Sequence, residues 1–163
     1  MGDMQLQMEI VGRLALAAIL GGIIGLEREY RGYPAGVRTM ALVCMGSALF
    51  ADTSGLFGGD SSRVTAQIVT GIGFLGAGLI FREGYTVKGV TTAATIWTVA
   101  AVGIAIGAQV YIVATFASLF SVILLELRVV TKNIRPRTDN GRIDEDDVRM
   151  IGDPEDNARE RNE

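Results

Sequence analysis

Three stretches without a single Asp, Glu, Lys or Arg, residues 39–51, 64–81 and 89–125, constrain this 163-residue chain more than any other feature. A soluble domain interrupts apolar sequence with charge every few residues, whereas runs of this kind read as membrane spans. Without water, a spanning backbone satisfies its own N–H and C=O groups as a helix. A hydrocarbon core of about 30 Å takes about 20 helical residues. On that measure the sequence predicts an all-α, polytopic bundle of five spans, at 8–26, 39–57, 64–81, 90–107 and 109–127. The last two meet at Gly107-Ala108-Gln109, which must turn tightly. The first segment lacks a basic leader and is expected to be retained rather than cleaved as a signal peptide.

Charge placement predicts the orientation. Arg28, Arg31 and Arg38 fall between spans 1 and 2, Arg82 and Lys88 between spans 3 and 4, and Arg128, Lys132, Arg135 and Arg137 after span 5. The other side has Arg63, with Arg13 a few residues into span 1. Short cytoplasmic loops collect Lys and Arg, so the N-terminus is expected outside and the C-terminus inside. The overall charge of −3 combines two regions, because residues 139–163 contain ten acidic and four basic side chains. We therefore divide the chain into a transmembrane domain over 1–132 and an acidic cytosolic tail over 133–163. The tail lacks the apolar surface to offset its ordering entropy and is expected to be mostly disordered.

The inventory of reactive groups is short. There is no histidine, and the one cysteine, Cys44, lies inside an uncharged run. A chain without the commonest general base, a C-x-x-C pair or a thiolate cluster is not expected to be an enzyme or to need a cofactor. Gly71-Ile72-Gly73-Phe74-Leu75-Gly76 matches the letters of a dinucleotide-binding turn. That turn has meaning only after a strand and with an acid about 20 residues on. Here the nearest downstream acid is Glu83, and the stretch before the glycines belongs to the same uncharged run. No nucleotide and no nucleic-acid partner is expected.

The glycines have a packing use instead. Lipid provides no hydrophobic drive between helices, so small residues that admit a neighbour hold bundles together. Gly21 with Gly25 and Gly103 with Gly107 are G-x-x-x-G pairs, and Gly71, Gly73, Gly76 and Gly78 spread round span 3. Span 3 is therefore expected at the centre, with a face left over for another copy or another membrane protein. The lone Trp97 is expected to pack within the bundle.

An internal echo marks the polar residues. REYRGYPAGVRTMA from residue 28 and REGYTVKGVTTAA from residue 82 share Arg-Glu, a Tyr and Gly-Val-x-Thr-x-Ala, offset by 54 residues at the start and 53 at the end. This spacing predicts a parallel repeat in which spans 1 and 2 match spans 3 and 4. The candidate site is a cytosolic-side polar cluster of Glu27, Arg28, Glu29, Arg38, Thr39, Arg82, Glu83, Thr91 and Thr92. Glu27 and Arg31 are four apart, a favourable helical pair, and Thr39 with Thr91 or Thr92 are candidate N-caps. Within the membrane, Glu9 and Arg13 can snorkel. Asp52 is the one carboxylate of functional interest there, since an intramembrane acid is costly unless paired or hydrated. Asp52 with Gln67 could give the minimum of a Mg²⁺ site if the helices bring them together. No metal is assigned to the sequence.

These residues also carry a resemblance. Gly25-Leu26-Glu27-Arg28-Glu29, Gly36-Val37-Arg38-Thr39, the glycines from Gly71 to Gly78, and Gly89-Val90-Thr91-Thr92-Ala93-Ala94 with Trp97 resemble the signature of the MgtC/SapB family of bacterial integral membrane proteins. The match covers about residues 8–128, in the order the family motif requires. The resemblance implies a multi-pass protein of the bacterial cytoplasmic (inner) membrane, described as a magnesium-transport accessory and associated with growth at low magnesium. It also implies regulation of other membrane proteins, and it maps the family motif onto Glu27, Arg28, Arg38, Thr39, Thr92 and the glycines of span 3. The longer, virulence-type form has a folded cytosolic domain where this chain has its acidic tail, which favours the short form. Two functions follow as expectations: a regulator or accessory in magnesium and membrane homeostasis, oligomeric or bound to another membrane protein, or else an oligomeric Mg²⁺ transporter or channel subunit.

Overall fold

The structure, a computed structural model, describes residues 2–57, 60–83 and 86–127. Five helices account for most of them: α1 (Gly2–Tyr30), α2 (Val37–Ser54), α3 (Ser61–Leu79), α4 (Val90–Gly107) and α5 (Tyr111–Glu126). A single 3₁₀ turn, Gly55–Phe57, extends α2. Between α3 and α4 lies a short antiparallel hairpin, β1 (Phe81–Glu83) with β2 (Thr86–Lys88), in register Phe81 to Lys88, Arg82 to Val87 and Glu83 to Thr86. The all-helical expectation holds apart from this hairpin. The acidic-tail reading and the boundary at residue 132 lie outside the described residues.

Two helices, α1 and α4, are long and apolar enough to cross a membrane by length and composition, and α5 is apolar but shorter at 16 residues. The bundle turns large apolar side chains outward. Phe74 is 82% exposed and Ile112 76%, and α5 alone exposes Val113, Phe116, Leu119, Phe120, Ile123 and Leu124. Contiguous apolar surface on this scale marks an interaction or membrane surface.

The ends of α1 and α4 follow from one motif. After α1, the Gly32 N–H donates to the Glu29 carbonyl and the Tyr33 N–H to the Arg28 carbonyl. After α4, Gln109 donates to Ile106 and Val110 to Ala105. Both are Schellman ends, which need a left-handed residue just past the helix. Gly32 provides it with φ 73, and Gln109, a residue with a Cβ, provides it with φ 65. This is the tight turn the sequence predicts at residues 107–109.

Packing places α2 at the centre, not α3. Ala17, Leu20 and Ile24 of α1, Met40, Cys44 and Ala48 of α2, and Ile96, Val99, Val102 and Ile106 of α4 form the buried core. Glycine pairs on both flanks let backbones approach. A Cβ on Gly21 would lie 2.6 Å from the Met40 oxygen and one on Gly25 2.6 Å from Val37 Cα. On the other flank, a Cβ on Gly107 would lie 2.7 Å from the Ala48 oxygen, and one on Gly103 would collide with the Cys44 carbonyl. So α2 is held between two G-x-x-x-G faces, the close-packing use expected of them.

On α3 only Ile72 and Gly76 are buried. Gly76 meets Ala93 of α4, whereas Gly71, Gly73 and Gly78 have open space where a side chain would start. The central position expected for span 3 is thus corrected. Its small residues are too numerous to be spent on one neighbour, and α2, with no glycine pair of its own, receives those of both flanking helices. Trp97, expected to pack inside, is 53% exposed.

Candidate functional site

The inner cluster is built by the last turn of α1. Glu27 is bonded by Arg28 through Nε and, at 3.0 Å, through Nη2, a bidentate pair that is almost fully buried. Arg31 Nε lies 2.6 Å from the other face of the same carboxylate, a charge contact without the alignment of a hydrogen bond. Arg31 then reaches α5, where its Nη2 donates to Glu126. That contact raises the Arg31 pKa above its ordinary value, the Glu126 hydrogen bond being the main cause.

The helix end completes the arrangement. A Schellman motif folds the second residue past the helix back over its last turn, which sets the Tyr33 ring over the Arg28 guanidinium at 4.0 Å. Cation–π contact holds within about 6 Å and strengthens when desolvated. Arg28 is 1% exposed, and its Nη1 has no hydrogen-bond partner among the described residues. Glu29 faces elsewhere: its carboxylate accepts from the Val37 N–H at 2.8 Å and so caps α2 from outside.

The Thr N-cap expectation is corrected. Gly36 caps α2 and Gly89 caps α4, the latter with φ 89, and neither makes a side-chain bond. Thr39 and Thr91 stand exposed inside the first helical turns, and Thr92 is buried. The Gly-Val start places the cap three positions before Thr39 and two before Thr91, so neither hydroxyl stands at the cap. Arg38 is exposed.

Arg82 and Glu83 do not join the α1 cluster. They stand exposed on β1, and Glu83 pairs across the hairpin with Lys88, which lowers the Glu83 pKa. The cluster drawn from the two echoing loops therefore separates into a buried group on α1 and an exposed hairpin.

At the other end of the bundle, Arg13 Nε bonds Asp52 Oδ2 at 2.7 Å, with side chains 7% and 8% exposed. Arg13 does not snorkel, and Asp52 turns to it and not to Gln67. Gln67 instead lines an apolar groove of about 500 Å³ between α2 and α3, with Leu42, Gly46, Ser47, Phe50 and Leu75 among its walls. The partners that sequence reasoning missed are Arg13, Tyr33 and Glu126. Glu126 had a signal, since it closes the uncharged run at residue 125. Tyr33 had one too, as the residue after a left-handed Gly32.

An apolar-surfaced helical bundle whose buried charges neutralise one another is a small protein of membrane type. The family is then given by sequence comparison: residues 14–134 match the MgtC family model, and the chain belongs to the MgtC family. It is 55% identical over 109 residues to Protein MgtC of Brucella abortus (strain 2308), covering 66% of this chain and 46% of that protein. It is 47% identical over 108 residues to Protein MgtC of Salmonella typhimurium (strain 14028s / SGSC 2262), covering 66% and 47%. A third relative, named "Putative magnesium transporter YhiD", from Escherichia coli (strain K12), is 44% identical over 141 residues, covering 77% of this chain and 66% of the relative. The chain thus spans about half the length of these MgtC proteins. No solved structure matches it.

Proposed function

We propose that this protein is a regulator or accessory of magnesium and membrane homeostasis, acting by contact with other membrane proteins or further copies of itself, and not an enzyme. The observation that supports this reading is the commitment of the two buried carboxylates, Asp52 and Glu27. Asp52 is spent on Arg13, and Glu27 on Arg28 and Arg31. A carrier for a divalent cation needs oxygen ligands free to replace or hold hydration water, whereas these acids already neutralise cations of their own chain. The exposed faces, by contrast, are apolar and small: Phe74, Gly71, Gly73 and Gly78 on α3 suit helix-to-helix contact.

In this reading all five helices span the bacterial cytoplasmic membrane, with the N-terminus outside and the C-terminus inside. Lys and Arg of the α1–α2 and α3–α4 connections then face the cytosol, as the positive-inside bias requires. The second reading, an oligomeric Mg²⁺ transporter or channel subunit, draws on the printed name of the Escherichia coli relative. Reconstitution separates the two. Vesicles containing the protein are expected to pass Mg²⁺ no faster than empty ones. Magnesium flux abolished by Asp52→Ala or Glu27→Ala, in variants that still reconstitute, would overturn the regulator reading.

A further inference from the structure

A cavity of about 380 Å³ opens beside the Arg13–Asp52 pair, lined by Glu9, Gly12, Arg13 and Leu16 of α1 and by Gln109 and Tyr111 from the turn into α5. We propose that it binds a zwitterion carrying an anionic oxygen group and an ammonium group, the chemistry of an ethanolamine phospholipid headgroup or of a free aminoalkyl phosphate.

Charge fixes the class of ligand. Arg13 donates through Nε to Asp52 and also meets the Tyr111 side chain, and its guanidinium, largely buried, is the cationic group in the cavity wall. Guanidinium donors in a fixed fork suit a phosphate or carboxylate. Glu9 is exposed on the same wall, four residues earlier, and forms no ion pair among the described residues. Residues four apart on a helix stand about 5–6 Å from one another, a separation that an anion and an ammonium on a short linker can match. Arg13 and Asp52 cancel, so Glu9 leaves the site with one net negative charge. A bare anion is repelled by two carboxylates and a bare cation meets the guanidinium, whereas a zwitterion satisfies both ends.

Backbone geometry gives an independent sign of use. Gln109 holds the left-handed position past α4 with φ 65, where glycine is the ordinary residue because a Cβ costs about 1 kcal/mol or more there. The side chain that this strain retains is one that lines the cavity. Gly12 on the facing helix has open space where a Cβ would start, so the cavity is not closed from the α1 side. Tyr111 sits beside the Arg13 guanidinium, and Leu16 continues the wall toward the apolar surface of the bundle.

The lipid source rests on the membrane reading proposed above; the free source does not. The test uses the full chain in nanodiscs containing phosphatidylethanolamine and phosphatidylglycerol with identical acyl chains, with lipid retention read by native mass spectrometry. A parallel arm measures thermal shifts with free phosphoethanolamine and with inorganic phosphate. Retention of the ethanolamine lipid over the glycerol lipid, reduced about tenfold in Glu9→Gln as expected for loss of one charge-assisted contact, supports the proposal with a lipid source. Stabilisation by free phosphoethanolamine but not by phosphate, lost in Glu9→Gln, supports it with a soluble source. Gln109→Gly separates binding from folding, because it is expected to raise thermal stability while weakening selectivity. Equal retention of both lipids together with no shift by free phosphoethanolamine overturns the proposal. Failure to enter bilayers of either composition overturns the membrane reading, and the soluble arm then decides this one.

Discussion

Two connections in this chain are spelled almost alike and fold differently. Arg28-Glu29 belongs to a helix that continues to Tyr30, whereas Arg82-Glu83 begins a hairpin after α3 has stopped at Leu79. The residue in front decides it. Glu27 precedes Arg28 and can take both Arg28 and Arg31 within one helical turn, while Phe81 precedes Arg82. A guanidinium enters a low-dielectric interior only with its counter-charge. The first loop sets Glu27 against Arg28 and buries the arginine, whereas Arg82 stands exposed on β1. An echo in sequence thus marks related positions in the chain without fixing related environments.

The largest expected effect that could break this comparison is on Glu27. Glu27→Ala strands the buried Arg28, and removing one partner of a buried pair costs about 3–5 kcal/mol; Glu83→Ala on the exposed hairpin is expected to lower thermal stability in detergent far less. Equal losses in the two variants would dissolve the distinction between the loops.

Arg28→Lys sharpens it by keeping the charge and removing the fork and the flat face over Tyr33. A loss of about 1–2 kcal/mol is expected from the bidentate and cation–π geometry, and a null result would mean that charge alone holds the end of α1. Glu29→Ala removes the carboxylate that holds the Val37 N–H at the start of α2, with an expected cost of about 1 kcal/mol, the scale of a helix cap. Amide exchange is expected to quicken first at Val37.

The smallest effect concerns pH. The Lys88 partner lowers the Glu83 pKa in the folded state, so its contribution is present above the unfolded carboxylate range and fades as pH falls through the lower folded value. Wild type is expected to lose this increment on acidification and Glu83→Gln to show no such slope. The increment is also expected to shrink in salt, since the pair is exposed.

Much of this was legible in sequence because burial in an apolar run leaves few choices. The bounds of α4 matched the expected 90–107 end to end, whereas α1 ran past the expected 8–26 through charged residues at both ends, and the Glu27–Arg31 pair followed from helical spacing. Bundle order was not legible. Small residues show that a neighbour comes close but not which neighbour, so span 3, with glycines on several sides, reads in sequence as the centre that α2 occupies. The Arg13–Asp52 pair was missed for a similar reason. The two lie 39 residues apart on different helices, and helical periodicity has no term that links them. Tyr33 and Glu126 act through a helix end and a fifth helix, and only tertiary structure makes those local.

The central claim is that the two echoing connections lie on one membrane face of a five-span bundle while the α2–α3 and α4–α5 connections lie on the other. Single cysteines at Tyr30 and Val87, and at Leu56 and Val110, all exposed positions, test it in intact cells with a membrane-impermeant maleimide, in a background where the buried Cys44 is replaced by Ser. Labelling is expected at 56 and 110 and not at 30 and 87 until the membrane is opened. Labelling of 30 and 87 from different sides would contradict the account.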